Sequence, residues 1–190
     1  MRNDNASQIS DVAKVISDSP WHMEVLRTVR KLELPDWMIG AGFVRNAIWD
    51  QLHEFVLFTS LADIDVIYFD PLHTNASLDS DIEYTLDGIL PGMPWSVRNQ
   101  ARMHIRNNDR PYTSSEDAIG HWIEVPTCIA VRLERDDTLN VFAPHGLQDL
   151  LNLDVRPTPS GIRKPEIYRK RILAKDWQRI WPKLQIHLNE

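Results

Sequence analysis

The sequence lacks cysteine pairs, long apolar runs and an excess of positive charge. Cys128 is the only cysteine among 190 residues, so no disulfide can form within one chain, and a reducing cytoplasm is the expected setting. No apolar run approaches about 18 residues, so we expect no transmembrane helix and no binding to a membrane. The polar residues that follow Met1 are unlike a signal peptide. These absences together predict a cytoplasmic protein.

The charge balance limits the partners of the chain. Asp and Glu outnumber Lys and Arg by 27 to 21, and the formal net charge is −6. This charge argues against broad electrostatic binding of nucleic acid, but it is compatible with a local basic groove. The basic residues cluster at Arg98, Arg102 and Arg106, and again at Arg156, Arg163, Lys164, Arg169, Lys170 and Arg171. Two interpretations remain open: solvated faces that offset the acidic residues, or a rim that faces phosphate groups.

Glycine is scarce, and two of the seven glycines lie one residue apart at Gly40 and Gly42. They separate a strand predicted at 37–39 from a helix predicted at 43–52. Glycine lets a backbone turn sharply and approach a ligand, and the N-terminus of the following helix attracts anions. Arg45 lies in the first turn, placed to add a charge-assisted contact to a phosphate. The alternative is a turn that merely needs small residues, because the spacing matches neither the dinucleotide fingerprint nor the P-loop.

Two acidic residues, Asp63 and Asp65, begin the next predicted strand, at 63–69. Side chains two residues apart on a strand project from the same face, about 7 Å apart. Two like charges so close are unfavourable unless a cation lies between them. Mg²⁺ is the obvious candidate, because it binds carboxylates together with substrate phosphates. Asp63 and Asp65 are therefore the predicted metal ligands.

The two motifs together resemble the nucleotidyltransferase superfamily, which includes DNA polymerase β, the CCA-adding enzymes and the aminoglycoside nucleotidyltransferases. Its signature is a glycine turn into a helix followed by an Asp-x-Asp strand, and Gly40, Gly42, Asp63 and Asp65 fill it. Within this superfamily, further stretches are similar to a bacterial family of uncharacterised nucleotidyltransferase-like proteins. Those stretches are 95–104, 111–112, 115–118 and 131–133.

The resemblance implies an α+β fold of the polymerase-β type, with a mixed central sheet flanked by helices. The length suits one domain over 1–190, and we expect N-terminal helices at 1–35, the core at 36–156 and a helical tail at 157–190. The implied activity is transfer of a nucleoside monophosphate from a nucleoside triphosphate to an acceptor, with Mg²⁺ or Mn²⁺. The acceptor is not specified by the sequence, although the acidic net charge favours a small molecule over nucleic acid.

The resemblance also assigns roles to single residues. Asp63 and Asp65 would be catalytic metal ligands, and Gly40, Gly42 and Arg45 would bind the nucleotide. The superfamily usually has a third carboxylate on a neighbouring strand, where this sequence offers Ser96 instead. A serine neither binds a metal strongly nor acts as a base at neutral pH, and the fallback acids are Glu83 and Glu124. An alternative therefore stays open: a nucleotide-binding regulatory protein of the same fold with weak or lost catalysis.

A polar segment follows the strand predicted at 95–97. Asn99 and Arg102 are predicted to contact the nucleotide or the acceptor, and the alternative is a capped helix held by its own hydrogen bonds. Two further expectations concern helices. The acidic side of the helix predicted at 76–90 is expected to be solvated. The helix predicted at 165–180 is expected to pack through Trp177 and Trp181.

Overall fold

A five-stranded mixed sheet forms the centre of the computed structural model, which describes the backbone of residues 2–188 and side chains from residue 6 onward. Its strands are β1 (Met38–Gly40), β2 (Ile64–Tyr68), β3 (Trp95–Asn99), β4 (Ala130–Leu133) and β5 (Leu139–Phe142). Their order across the sheet is β3-β2-β1-β4-β5, with β2 parallel to β3 and the other pairs antiparallel. Two short strands, β6 (Asp154–Val155) and β7 (Gln185–Ile186), form a separate parallel pair.

Helices flank this sheet. They are α1 (Arg2–Ser17), α2 (Pro20–Arg30), α3 (Gly42–Leu52), α4 (Ser77–Ile89), α5 (Met103–Asn107), α6 (Ser115–Ile119), α7 (Gln148–Leu151), α8 (Pro159–Arg163), α9 (Pro165–Lys175) and α10 (Trp177–Ile180). Single turns of 3₁₀ helix lie at Gln100–Arg102 and Val125–Thr127. The predicted α+β fold with a mixed sheet is confirmed. No helix in the described residues is both long and apolar enough to cross a membrane.

Helix α3 joins the sheet to the surrounding helices. It contacts β1, β2 and β4 on one side and α1 and α7 on others, and residues 42–50 are all buried. Phe43, Val44 and Trp49 are completely buried in the main core. A helix that is buried on nearly every side has little freedom to shift, so it holds the turn before it in a fixed position.

The acidic side of α4 covers the outer edge of the sheet, which corrects the expectation of a solvated face. Glu83 accepts a hydrogen bond from the backbone N–H of Val97 at 2.8 Å, and Asp79 accepts one from the N–H of Asn99 at 3.3 Å. Asp79 is only 2% exposed. Because β3 is an edge strand, its unpaired N–H groups need such acceptors. The expectation was wrong for these two acids, since they accept hydrogen bonds from the backbone of the strand that follows α4.

The C-terminal helix predicted at 165–180 is broken at Asp176. This residue adopts a left-handed backbone conformation with φ of 46°, and it separates α9 from α10. Asp tolerates that conformation better than most residues. The predicted packing through Trp177 and Trp181 is confirmed, because both rings contact Trp49 of α3, with centroids 5.4 and 5.1 Å away.

Candidate nucleotide and metal site

The glycine turn between β1 and α3 forms one side of the site. A Cβ atom at Gly40 would lie 3.0 Å from the carbonyl oxygen of Ile129, so close packing beside β4 requires glycine there. A Cβ at Gly42 would make ordinary contacts, at 3.5 Å or more from neighbouring side chains. The left-handed backbone of the turn falls on Ala41, with φ of 54°, and its N–H donates to the Ile129 carbonyl at 2.9 Å.

The N-terminus of α3 has no capping side chain. Its cap residue is Ala41, whose carbonyl accepts from the N–H groups of Val44 and Arg45. The first N–H groups of any helix, here those of Gly42 and Phe43, have no partner within the helix. Both residues are buried. Such a helix end, with its positive partial charge, favours an anion beside it.

Arg45 lies beneath the turn and is 6% exposed. Its guanidinium donates to Asn46 at 2.9 Å and to Thr127 at 3.1 Å, and it lies over the ring of Trp177 at 4.4 Å. Burial lowers the pKa of Arg45 to about 10, against the opposing effect of nearby carboxylates that include Glu124 and both aspartates. The structure therefore supports a long-range electrostatic role, and the predicted direct contact with a phosphate stays a prediction.

The two aspartates lie beside the glycine turn because of the strand register. Asp65 in β2 is paired with Gly40 in the antiparallel β1 and with Ser96 in the parallel β3, and Asp63 lies just before β2. The sheet thus brings both halves of the predicted motif together. It also places Ser96, rather than an acid, directly across from Asp65.

Neither aspartate has a protein partner among the described side chains. No hydrogen bond or ion pair involves the side-chain carboxylate of Asp63 or Asp65 in that part of the chain. Burial, together with the charge of Asp63, raises the pKa of Asp65 to about 6. The positive charges of Arg45, Lys175 and Arg171 act in the opposite direction. The site therefore holds two carboxylates that repel each other, and no hydrogen-bond donor among the described residues stabilises their charge.

The carboxylates of Asp63 and Asp65 suit a Mg²⁺ ion that is bound together with a nucleotide. Within the described residues, no group of three or more His, Cys, Asp or Glu side chains is placed to hold a metal ion. Mg²⁺ is commonly bound in proteins by one or two carboxylates, with waters and substrate phosphates completing its coordination. Asp63 and Asp65 would thus hold the ion only in part, and phosphate oxygens would supply further ligands.

The two fallback acids, Glu83 and Glu124, form hydrogen bonds and ion pairs with other parts of the protein. Glu83 binds the edge of β3 and also accepts from the Arg98 guanidinium at 2.8 Å. Glu124 is completely buried and accepts two hydrogen bonds from Arg171, at 2.6 and 3.1 Å. These contacts favour a structural or orienting role for each acid over metal binding.

The other predicted ligand-binding residues, Asn99 and Arg102, make contacts within the protein. The Asn99 side-chain oxygen accepts from the N–H groups of Asp70 and Ala101, and its amide nitrogen donates to the Asp70 and His73 carbonyls at 2.8 and 2.9 Å. Arg102 forms an ion pair with the buried Asp79. Ligand binding by Asn99 and Arg102 stays a prediction, and the contacts favour the capped-turn alternative.

The loop that leads into Asp63 is anchored by Asp50 of α3. The buried Asp50 carboxylate accepts from the backbone N–H and the hydroxyl of Thr59, both at 2.6 Å. It also accepts from the indole N–H of Trp181 at 2.7 Å. Sequence reasoning missed this residue, because its partners lie in a loop and at the far end of the chain. An acid amid the apolar residues of α3 was the only local sign.

Comparison with known proteins identifies the family to which this chain is similar. A family model described as nucleotidyltransferase matches residues 27–186. A structure solved by NMR, described as a CCA-adding enzyme head domain, is 34% identical, with a TM-score of 0.84 over 94% of this chain and 95% of the other.

More distant solved structures share the fold. A CCA-adding enzyme in complex with CTP is 14% identical, with a TM-score of 0.59, and the match covers 93% of this chain but 42% of the enzyme. The apo form I of a CCA-adding enzyme is 13% identical, with a TM-score of 0.57 over the same shares. At such identity the likeness shows the fold alone. No curated protein matches the chain.

Proposed function

This chain belongs to the nucleotidyltransferase family, and from that premise we propose that it transfers a nucleoside monophosphate from a nucleoside triphosphate to an acceptor, with Mg²⁺ or Mn²⁺ as the metal. The observation that carries the proposal is the pair Asp63 and Asp65, which lies beside the glycine turn without any protein partner among the described residues. Asp63 is exposed and Asp65 is partly buried. A partly buried acid with a purely structural role would be expected to have a hydrogen-bond donor or a cation in contact with it. The lack of such partners supports a role of these carboxylates in binding a metal ion.

The proposed reaction is a displacement at the α-phosphorus. An acceptor oxygen forms a bond to that phosphorus while the bond to the β-phosphate oxygen breaks, so pyrophosphate leaves and the acceptor proton passes to solvent water. Asp63 and Asp65 would hold the metal, which supplies charge neutralisation and orientation of the phosphates when bound. The turn at Gly40 and Gly42, with the α3 N-terminus and the buried charge of Arg45, would attract the phosphates.

The acceptor class is a further part of the proposal. The net charge of −6 favours a small-molecule acceptor. We propose that the reaction takes place in the cytoplasm. RNA is the competing class, since the solved structures with this fold include CCA-adding enzymes. The CTP complex of one of them supports a nucleoside triphosphate as the donor.

A nucleotide-binding regulatory protein with weak or lost catalysis is the second candidate. It is favoured by Ser96, which occupies the strand position directly across from Asp65, and by the contacts that hold Glu83 and Glu124 elsewhere. Without a third carboxylate to accept the acceptor proton, nucleotide would bind but turn over slowly.

A thermal-shift experiment separates these possibilities from a purely structural motif. The wild type and the Asp63→Asn/Asp65→Asn double variant would be heated with each of four nucleoside triphosphates and Mg²⁺. A ligand that binds only the folded state at a hundredfold excess over its Kd stabilises by about 2.7 kcal/mol. We expect a rise in Tm for the wild type that is absent from the variant. An equal rise in both proteins, or none in either, would sink the proposal.

Pyrophosphate release then separates the two candidates. Wild-type protein that binds a triphosphate would be incubated with it in a small-molecule fraction and in an RNA fraction of a bacterial extract. Metal-dependent release above the rate of the double variant supports the transferase and identifies the acceptor class. Binding without any release supports the regulatory protein.

A further inference from the structure

Two basic residues of α9, Arg171 and Lys175, add positive charge to the surroundings of the aspartate pair. Arg171 pairs with Glu124, which directly precedes the 3₁₀ turn whose Thr127 accepts a hydrogen bond from Arg45 at 3.1 Å. Arg171 and Lys175 are four residues apart, so they share one face of the helix. The positive charge of each acts on Asp65 and offsets the effect of burial on its pKa. The charges of both aspartates act in turn on Arg171. The helix therefore brings cations to the site from the end of the chain.

Arg171 is held in one orientation by Glu124. Its Nε and Nη2 atoms donate to the two carboxylate oxygens at 2.6 and 3.1 Å, and the carboxylate is completely buried. Among the described residues, Nη1 has no hydrogen-bond or ion-pair partner. The side chain is nevertheless 41% exposed. One edge of the guanidinium is thus fixed to the protein, and the other edge remains available to a ligand.

Stability alone is a weak explanation for this ion pair. Placing a carboxylate in the interior costs several kcal/mol, and apolar replacements of buried pairs are often neutral or stabilising. Lys175 is exposed and forms no salt bridge within the described part of the chain. An oriented guanidinium and an exposed ammonium beside an anion-attracting turn form a site for a polyanion.

The end of α9 is fixed against the helix that follows the glycine turn. Trp177 begins α10 directly after the turn at Asp176, and its ring lies under the Arg45 guanidinium and against Trp49. Trp181, one turn later, is bonded to Asp50. These contacts hold the end of α9 against α3, so the helix that carries Arg171 and Lys175 has a defined position beside the glycine turn.

We propose that Arg171 and Lys175 bind the phosphate chain of the nucleoside triphosphate, with Glu124 as the positioning residue that orients Arg171. The inference rests on the proposed function and adds the residues that would distinguish a triphosphate from a monophosphate. A phosphate chain that binds the metal held by Asp63 and Asp65 would also contact the exposed edge of the Arg171 guanidinium.

Binding of inorganic tripolyphosphate with Mg²⁺, measured by isothermal titration calorimetry, tests the proposal without requiring turnover. Each nucleoside triphosphate and its monophosphate would be measured in parallel. Arg171→Gln and Lys175→Gln should each weaken tripolyphosphate and triphosphate binding by about tenfold or more, as loss of a charge-assisted hydrogen bond does. Monophosphate binding should stay unchanged. Lys170→Gln is the matched control, since it removes the same charge from an exposed position of α9 that is not among the charges with the largest effect on Asp65.

A double-mutant cycle tests the role of Glu124. If this acid acts through Arg171, Glu124→Gln should weaken tripolyphosphate binding in the wild-type background and have no further effect in the Arg171→Gln background. Equal losses in both backgrounds would instead assign Glu124 a separate structural role. Circular dichroism and Tm would establish that each variant is folded.

The outcomes distinguish this inference from the proposed function. Triphosphate binding that survives Arg171→Gln and Lys175→Gln but is lost in the aspartate double variant would overturn the inference and leave the function standing. A wild type that binds neither tripolyphosphate nor any nucleoside triphosphate would overturn both. Equal weakening by the Lys170→Gln control would reduce the effect to general electrostatics and would also overturn the inference.

Discussion

Removing the charge of Asp65 should stabilise the metal-free protein. Burial and Asp63 raise the pKa of Asp65 from 3.8 to about 6, so the ionised form destabilises the folded state. A difference of about two pKa units corresponds to about 3 kcal/mol. Since the side chain is only partly buried, we expect Asp65→Asn to raise the free energy of unfolding by about 1–3 kcal/mol at pH 7.

The stability difference between Asp65→Asn and the wild type should depend on pH. A carboxyl group whose pKa is raised by folding binds more protons in the folded state than in the unfolded state between about pH 4 and pH 6. The stability of the wild type therefore falls, relative to the variant, as the pH rises through this window. The advantage of Asp65→Asn should be complete at pH 7 and about half as large at pH 5.

Urea denaturation with EDTA, at several pH values from 5 to 8, measures the effect. Asp79→Asn is the matched control, because Asp79 is also an acid near the sheet but accepts from Tyr68 at 2.9 Å and pairs with Arg102. Its substitution should destabilise the protein by about 3 kcal/mol, the usual result of breaking a buried ion pair. A stability loss in Asp65→Asn, or a gain that does not shrink at pH 5, would refute the reasoning.

The remaining predictions concern the glycine turn and the third strand. Gly40→Ala should destabilise the protein by about 1–3 kcal/mol, because its Cβ would lie 3.0 Å from the Ile129 carbonyl oxygen. Gly42→Ala should change the free energy of unfolding, measured by urea denaturation, by no more than about 0.5 kcal/mol, since its Cβ makes ordinary contacts. It should instead weaken triphosphate binding. A larger loss of stability in Gly42→Ala than in Gly40→Ala would contradict these assignments. Ser96→Asp should tighten Mn²⁺ binding in the presence of nucleotide, followed by electron paramagnetic resonance, because it adds an acid across from Asp65. Unchanged Mn²⁺ affinity would show that the Ser96 side chain does not reach the metal.

The sequence was sufficient where the determining interactions are local. An apolar run that begins with alternating acids identified the strand predicted at 63–69, and the glycine pair identified a turn into a helix. The resemblance supplied the α+β fold that the sheet confirms. The break at Asp176 was missed because the pattern of helix-forming residues continues across it, and only one residue leaves the helical conformation.

Pairings between distant segments could not be predicted in the same way. Glu124 and Arg171 meet only because α9 folds back onto the segment before β4, and no spacing rule connects them. Asp79 looked like a surface acid because its partners, Arg102 and the N–H of Asn99, lie on the neighbouring strand and turn. Charged residues in a helix have the same local pattern whether they face water or an edge strand, so their partners depend on docking.

The contacts of Trp177 and Trp181 delay one part of folding until late in the synthesis of the protein. Arg45, Trp49 and Asp50 are translated early, yet Trp177 and Trp181, which pack against them, follow more than a hundred residues later. A nascent chain lacking this last helix has its glycine turn and aspartates but no ring beneath Arg45 and no indole on Asp50. The contacts that surround Arg45 and Asp50 can therefore form only after residue 181 has left the ribosome.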